Sequence, residues 1–448
     1  MNTGLATDAR DAYLGGFART LASTQTSPRW LAAARTAAFD AFMEQGFPTR
    51  KHEDWRFTDV SPVTSFLLPP GDGEVAPAAH GLLFDESLFQ LGRGRGHRMV
   101  FVDGRHRTDH ATWQPRPTGL VLERLSTALG NASAPAGLVP GKQPAGHNAF
   151  TALNTAFMTD GALVRIPAGL VVESPIVLVF LAAAEGCASF PRTVVEAGAD
   201  SQATIVEIHL GADGRATLSD AVTELVLESG ARLAYHGIQK PSGSGFHIGH
   251  LAVTQKAGSN FFAHSLSLGG RLVRNDAHVV LAEESCACQL DGICLAGGAS
   301  HIDNHTTIDH TAPRSTSRED YKSVVAGHGV AVWNGRAVVR PGAQGTDARQ
   351  TSRNLILADG ARIHAKPHLE IFANDVKCSH GATTGRLDPE ALFYLRSRGI
   401  GEKDANHILI SAFLREGLAR VADAPLRGEL EAILASRASD LAAEGASA

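Results

Sequence analysis

The stretch Glu196-Ala-Gly-Ala-Asp-Ser-Gln-Ala-Thr-Ile-Val-Glu-Ile-His-Leu210 decides the fold. It opens on a small turn around Gly198 and runs into a segment where Val206, Ile208 and Leu210 alternate with Glu207 and His209. Alternation with period two is the signature of a strand. The turn recurs as Glu-Ser-Gly-Ala-Arg at 228–232, Lys-Ala-Gly-Ser-Asn at 256–260 and Ala-Asp-Gly-Ala-Arg at 358–362. Gly198, Gly230 and Gly258 stand 32 and 28 residues apart. Glycine at such corners supplies positive φ at little steric cost. From about Gly161 to Ala382 short apolar runs alternate with polar positions, as in Ser265-Leu-Ser-Leu268, and no window reads as an amphipathic helix. Strands alone, punctuated by a repeated Gly-small turn, point to a β-solenoid, whose coils share one core because none can bury its own inner face. A β-sandwich has similar strands and turns; the repeat spacing favours the solenoid.

Outward from this zone the character changes. Residues 5–47 are rich in Ala, Leu and Arg with helical spacing at Trp30, Ala34, Ala37 and Ala38. They predict two helices, the second opened by Ser27 as N-cap and Pro28 at the first helical position. A proline-bearing polar stretch, 48–70, follows, and 71–150 mixes strand-like runs such as Met99–Gly104 with loops. After Gly385, Asp388-Pro389-Glu390 opens a helix that Gly399 ends. Two more helices are predicted over about 402–421 and 426–442. The expected organisation is a mixed N-terminal region (1–150), a β-helical core (151–385) and a C-terminal helical region (386–448).

Composition bounds the function. Of 448 residues, 44% are hydrophobic and 19% charged, which suits a globular chain with ample core, and a net charge of -5 gives no pull toward nucleic acid or an anionic membrane. The longest apolar run, Ile176–Ala184, is too short to span a bilayer. The N-terminus lacks the basic start and apolar stretch of a signal peptide, so the expected location is cytoplasmic. Five cysteines (Cys187, Cys286, Cys288, Cys294 and Cys378) are too sparse and odd in number for a disulfide framework. There is no Walker-type loop (Gly137–Gln143 has the wrong spacing), no G-x-S-x-G, no H-E-x-x-H and no C-x-x-C. A nucleotide hydrolase is thereby disfavoured, and energy must come from a partner.

The sharpest chemical feature is Asp375-Val-Lys-Cys-Ser-His-Gly-Ala-Thr-Thr-Gly385. On a strand Cys378 and His380 share a face, and thiolate plus imidazole make a soft two-point ligand for iron, copper or zinc. Lys377 is a candidate to favour the thiolate. Iron–sulfur clusters usually take four protein ligands, so a site here needs another chain or is transient. Cys286, Cys288 and Cys294 lie among Leu281, Leu290, Ile293 and Leu295 and read as core. His301, His305 and His310 read as a hydrogen-bonded surface ladder, and Glu53–Thr58 as a structural elbow. Asp303, Asp309, Glu319 and Asp320 raise the alternative of a β-helix carbohydrate-active enzyme, against which only 6% of the chain is aromatic.

A family resemblance adds to this reading. His301-Ile-Asp-Asn-His-Thr-Thr-Ile-Asp-His310, Pro313, Ser317, Tyr321-Lys322, Gly345-Thr-Asp-Ala-Arg-Gln350, Asn354-Leu355, Leu369-Glu-Ile371, Asp375–Thr384 and Leu392–Ile400 resemble the SufB/SufD iron–sulfur cluster assembly family. Arg50–Thr58 looks like that family's N-terminal signature. Lys377-Cys-Ser-His-Gly-Ala-Thr383 is similar to the SufD side of the family, with Asn374 and Trp333 departing from its usual Asp and Phe. The resemblance implies a mainly β chain: a right-handed parallel β-helix flanked by N- and C-terminal helical regions. It implies a non-catalytic scaffold in a SufBCD complex, paired with SufB through the β-helix end at Cys378 and His380. The ATPase SufC would dock on the C-terminal helices, with Phe393, Tyr394, Ile410, Phe413 and Leu414 as candidates. The isolated chain is expected to hold no cofactor tightly; iron or a nascent cluster passes transiently, and a flavin is a further candidate ligand of the complex. The same edge permits a homodimer.

Overall fold

A computed structural model describes residues 7–23, 28–66, 84–110, 116–130 and 148–446. Ser27 and the Gly137–Gln143 string fall outside them. Two ten-stranded sheets face each other. From Arg192–Ala197 to Val376–Gly385 successive strands switch between them, and each pairs in parallel with the strand one coil earlier. The result is a parallel β-helix of about eight turns with helices at both ends of the chain. The first sheet ends in Val376–Gly385 and the second in Arg362–Ile371. At the opposite end both sheets finish in reversed strands: Arg105–His106 lies antiparallel to His97–Val102, and Val121–Arg124 to Gly161–Ile166.

The corners use glycine in two ways. Gly230 and Gly258 take positive φ (71° and 66°), as the turn signature predicts. Gly198 does not; Asp200 holds the left-handed position instead, at φ 56°. Gly198 is needed for clearance, since a Cβ there would stand 2.6 Å from the Ala168 nitrogen.

Among the described residues the three largest hydrophobic layers are the lumen and the outer faces of the two sheets. The lumen holds Ile176, Ile205, Leu233, Phe261, Cys288, Leu290 and Trp333. The outer face of the first sheet, including Val206, Ile208, Ile238 and Ile293, is covered by the C-terminal helices Glu402–Gly417 and Ala424–Ala446. The outer face of the second sheet, at Leu218, Phe246, Ile248 and Leu272, packs under N-terminal aromatics such as Phe39, Phe42, Phe47 and Trp55. Leu414 and Ile410 are fully buried in the first of these outer layers, which removes both from any docking surface. Helix Ala149–Phe157 straddles the expected boundary at 150, and strand His97–Val102 of the N-terminal region already belongs to the first sheet. Among the described residues no helix is long and apolar enough to cross a membrane.

The elbow at Glu53–Trp55 is a short 3-10 turn that pins the N-terminal region to the second sheet. Arg274, with only 2% of its side chain exposed, pairs with Asp303 at 2.7 Å and Asp276 at 2.8 Å. The same guanidinium donates to the Asp54 carbonyl at 2.7 Å and lies 4.1 Å from the Trp55 ring centre. Thr58 donates to Asp303.

Candidate functional site

Strand Val376–Gly385 is the last of its sheet, so one edge of its backbone is unpaired. Its register is Cys378 over Ala348 and His380 over Gln350. The preceding coils continue these columns: Ala348 over Ser317 over Cys288, and Gln350 over Glu319 over Leu290. Cys288 and Leu290 are lumen residues. Cys378 and His380 therefore stand on the inward face at the open mouth of the solenoid, with Lys377 exposed on the opposite face.

Their environments differ. Cys378 is half-buried against Val339, Ala343 and Ala373, while His380 is exposed. Burial pushes the Cys378 thiol up, a backbone hydrogen bond at Ala348 works against it, and Asp347 adds to the rise. Lys377, which the sequence offered to favour the thiolate, is exposed and on the other face of the strand. Among the described residues no group of three or more His, Cys, Asp or Glu is placed to hold a metal ion. Cys378 and His380 thus have no third such group beside them among the described residues.

Beneath the mouth the lumen is polar. Gln350 and Glu319 are buried at 2% and 3% exposure, and Gln350 Nε2 donates to Glu319 Oε2 at 2.5 Å. Burial pushes the Glu319 carboxyl up to about 7, against the opposing hydrogen bond from Gln350. Deeper still, Glu207 accepts from Thr223 at 2.9 Å and lies 2.8 Å from His209 Nε2, beside a cavity of about 60 Å³.

The other candidates separate. Cys286, Cys288 and Cys294 are buried among apolar neighbours, as core thiols should be. The expected surface ladder of histidines is split: His310 is fully buried and 2.9 Å from Ser317 Oγ, whereas His301, 3.0 Å from Thr58 Oγ1 under the elbow, and His305 are half-buried. Strand parity splits them, because in His301–His310 the even positions face the lumen and the N-terminal region covers part of the odd side. The carboxylates proposed for a glycan groove are scattered by the same parity. Glu319 lies in the lumen, Asp303 and Asp309 on the outer second sheet, and Asp320 on the outer first sheet beside Arg353 and Arg420. Of the docking candidates, Phe393 and Tyr394 are exposed (75% and 58%) on helix Pro389–Ser397, which buries none of its residues. Phe413 packs on the solenoid and its ring covers Lys322 Nζ at 4.1 Å.

Comparison with known proteins gives this chain a family. The profile described as "SUF system FeS cluster assembly, SufBD core domain" matches residues 180–413, more than half of the chain. The chain belongs to the SufBD family. A second profile, the SufBD protein N-terminal region, matches residues 8–66, which include the elbow. A protein of Synechocystis sp. named as an iron–sulfur cluster assembly SufBD family protein is 31% identical over 414 residues, covering 90% of each chain. The iron–sulfur cluster assembly protein SufD of Escherichia coli is 27% identical over 406 residues, covering 88% of this chain and 90% of its own. A chloroplastic protein of Arabidopsis thaliana is 29% identical over 420 residues, 91% of this chain and 86% of that one. Membership places the chain in the SUF system of iron–sulfur cluster assembly. Sequence reasoning singled out Cys378 and His380 and weighed Glu319 only as a groove carboxylate; it left unread that Gln350 and Glu319 lie in the column of His380. The signal was period two: both share the parity of His380 one and two coils down.

Proposed function

We propose that this chain is a non-hydrolytic scaffold subunit of a cytoplasmic SufBCD-type complex. A SufB partner pairs with the open end of the solenoid, where Cys378 and His380 offer a thiol and an imidazole to iron or a nascent cluster, which is cargo. A SufC ATPase docks on the C-terminal helical region, with Phe393 and Tyr394 as anchors, and its hydrolysis moves those helices against the first sheet. The reading is carried by one observation: the two soft ligands of the chain's C-x-H motif lie on the inward face of an unpaired terminal strand. Two ligands fall short of the four a cluster usually takes, and an unpaired strand edge invites another sheet to complete it. The exposed Phe372 and Ile371 beside it (58% and 43%) suit an apolar interface.

His380→Ala tests it. The variant should fold, because His380 is exposed and packs into no core cluster, and should bind SufB and SufC. Iron and sulfide loading of the purified complex under anaerobic conditions, read by the cluster chromophore, should fall several-fold. A normal cluster yield would remove His380 from the mechanism. Loss of the complex itself would make the residue an interface contact only.

A further inference from the structure

From the open mouth inward, the first sheet stacks His380, Gln350 and Glu319 at inward-facing positions of three successive coils. Register and sidedness are fixed by the backbone, and coils in register stand about 4.8 Å apart, a gap that an imidazole and a glutamine can bridge. Gln350 Nε2 donates to Glu319 Oε2 at 2.5 Å. When Glu319 is ionised, above about pH 7, that contact also assigns the amide, since a carboxylate can only accept. The nitrogen is therefore engaged by the coil below, and the carbonyl oxygen is left over. Gln350 Oε1 is buried with no hydrogen-bond partner in the isolated chain, which is costly for an amide oxygen. The group above it in the column is His380.

We propose that Gln350 and Glu319 are positioning residues for His380. Glu319 holds the Gln350 amide, Gln350 Oε1 accepts a ring N–H of His380, and the other ring nitrogen is thereby presented as a lone pair at the mouth. A neutral imidazole has one N–H and one lone pair, so fixing the first selects the second. Metal-binding histidines are characteristically oriented by such an outer acceptor, whose loss typically lowers metal affinity or activity 10- to 100-fold. An amide oxygen can only accept, so it sets the tautomer without exchanging a proton with the ring. The proposal rests on the reading of His380 as an iron ligand.

The test uses the full chain with ring-¹⁵N histidine, the His380 signals being assigned by their loss in His380→Ala. Wild type should show one dominant His380 tautomer. Gln350→Met, of similar length but without the amide acceptor, should give a mixture, with Gln350→Leu as the second variant if the first folds poorly. Glu319→Leu should do the same, whereas Glu319→Gln should keep the wild-type tautomer because its carbonyl still accepts from Gln350 Nε2. In the SufB- and SufC-bound complex, Gln350→Met should lower iron loading about tenfold and have no further effect in the His380→Ala background. An unchanged tautomer in both Gln350 variants would overturn the proposal and leave Oε1 to an interior water. A changed tautomer with normal iron loading by His380→Ala would instead overturn the ligand reading, and with it the claim that the column serves iron.

Discussion

Glu319→Gln replaces a buried titratable group by a neutral one of the same shape, so its effect on stability should depend on pH in a calculable way. Burial raises the Glu319 carboxyl from 4.5 to about 7 in the folded chain. Below pH 4.5 the group is protonated in both the folded and the unfolded states and costs nothing. Between 4.5 and 7 the unfolded chain has released the proton while the folded chain still holds it. The folded state therefore loses about 1.4 kcal/mol per pH unit over that range. Two and a half units amount to about 3 kcal/mol, reached near pH 7 and constant above it. The glutamine variant escapes this loss while still accepting from Gln350. Its stability relative to wild type should thus rise by about 3 kcal/mol between pH 4.5 and pH 8. Native-state hydrogen exchange of strand Thr316–Val325 reads the opening of this coil directly, with urea unfolding at each pH as a second measure. Groups elsewhere titrate equally in both proteins and cancel in the difference. A difference that stays flat across this range would mean that Glu319 is ionised throughout, with water reaching it in the lumen, and would refute the reasoning.

Two further outcomes test the outer faces. Arg274→Met should destabilise by about 3–5 kcal/mol, because Asp303 would remain buried without its counter-charge; limited proteolysis should then cut near the elbow at 50–58. Burial works to raise Asp303, but Arg274 and His305 hold its carboxyl well below the ordinary range. Its contribution is therefore present above about pH 4 and lost as pH falls. On the opposite face, Glu416 pairs with the buried Lys322 at 2.7 Å and with Arg353 at 2.6 Å. Glu416→Ala, which strands the ammonium, should raise hydrogen exchange in helix Glu402–Gly417 more than Lys322→Met does; the reverse order would show that the pair contributes little to docking.

The sequence made the solenoid legible through its turns, and the C-terminal helices through signals such as the Asp388 N-cap, which accepts from the Glu390 N–H at 2.9 Å. It made Cys378 and His380 legible because strand parity needs no tertiary information. What it hid was which side of each strand is inside. In Gln202–Gly211 the apolar Val206, Ile208 and Leu210 pack outward under helices, while Glu207 and His209 enter the lumen. Alternation alone cannot reveal this, since both faces are buried and the more polar one is the inner. The Arg274–Asp303 pair and its elbow were hidden for another reason: Asp54 and Arg274 meet across 220 positions of sequence. His310 illustrates the first effect, being polar in appearance yet fully enclosed.

The reversed strands that finish one end of both sheets have a consequence for assembly. A coil stack with two bare ends is a repeating unit of an open filament, since each mouth can accept the tail of the next molecule. Here Arg105–His106 runs against Phe101 and Val102, and Val121–Arg124 runs against Ala162–Arg165, so that end does not finish in parallel strands. The two ends of the stack are therefore unlike. A partner that extended the solenoid by parallel pairing would be directed to the end on which Cys378 and His380 lie.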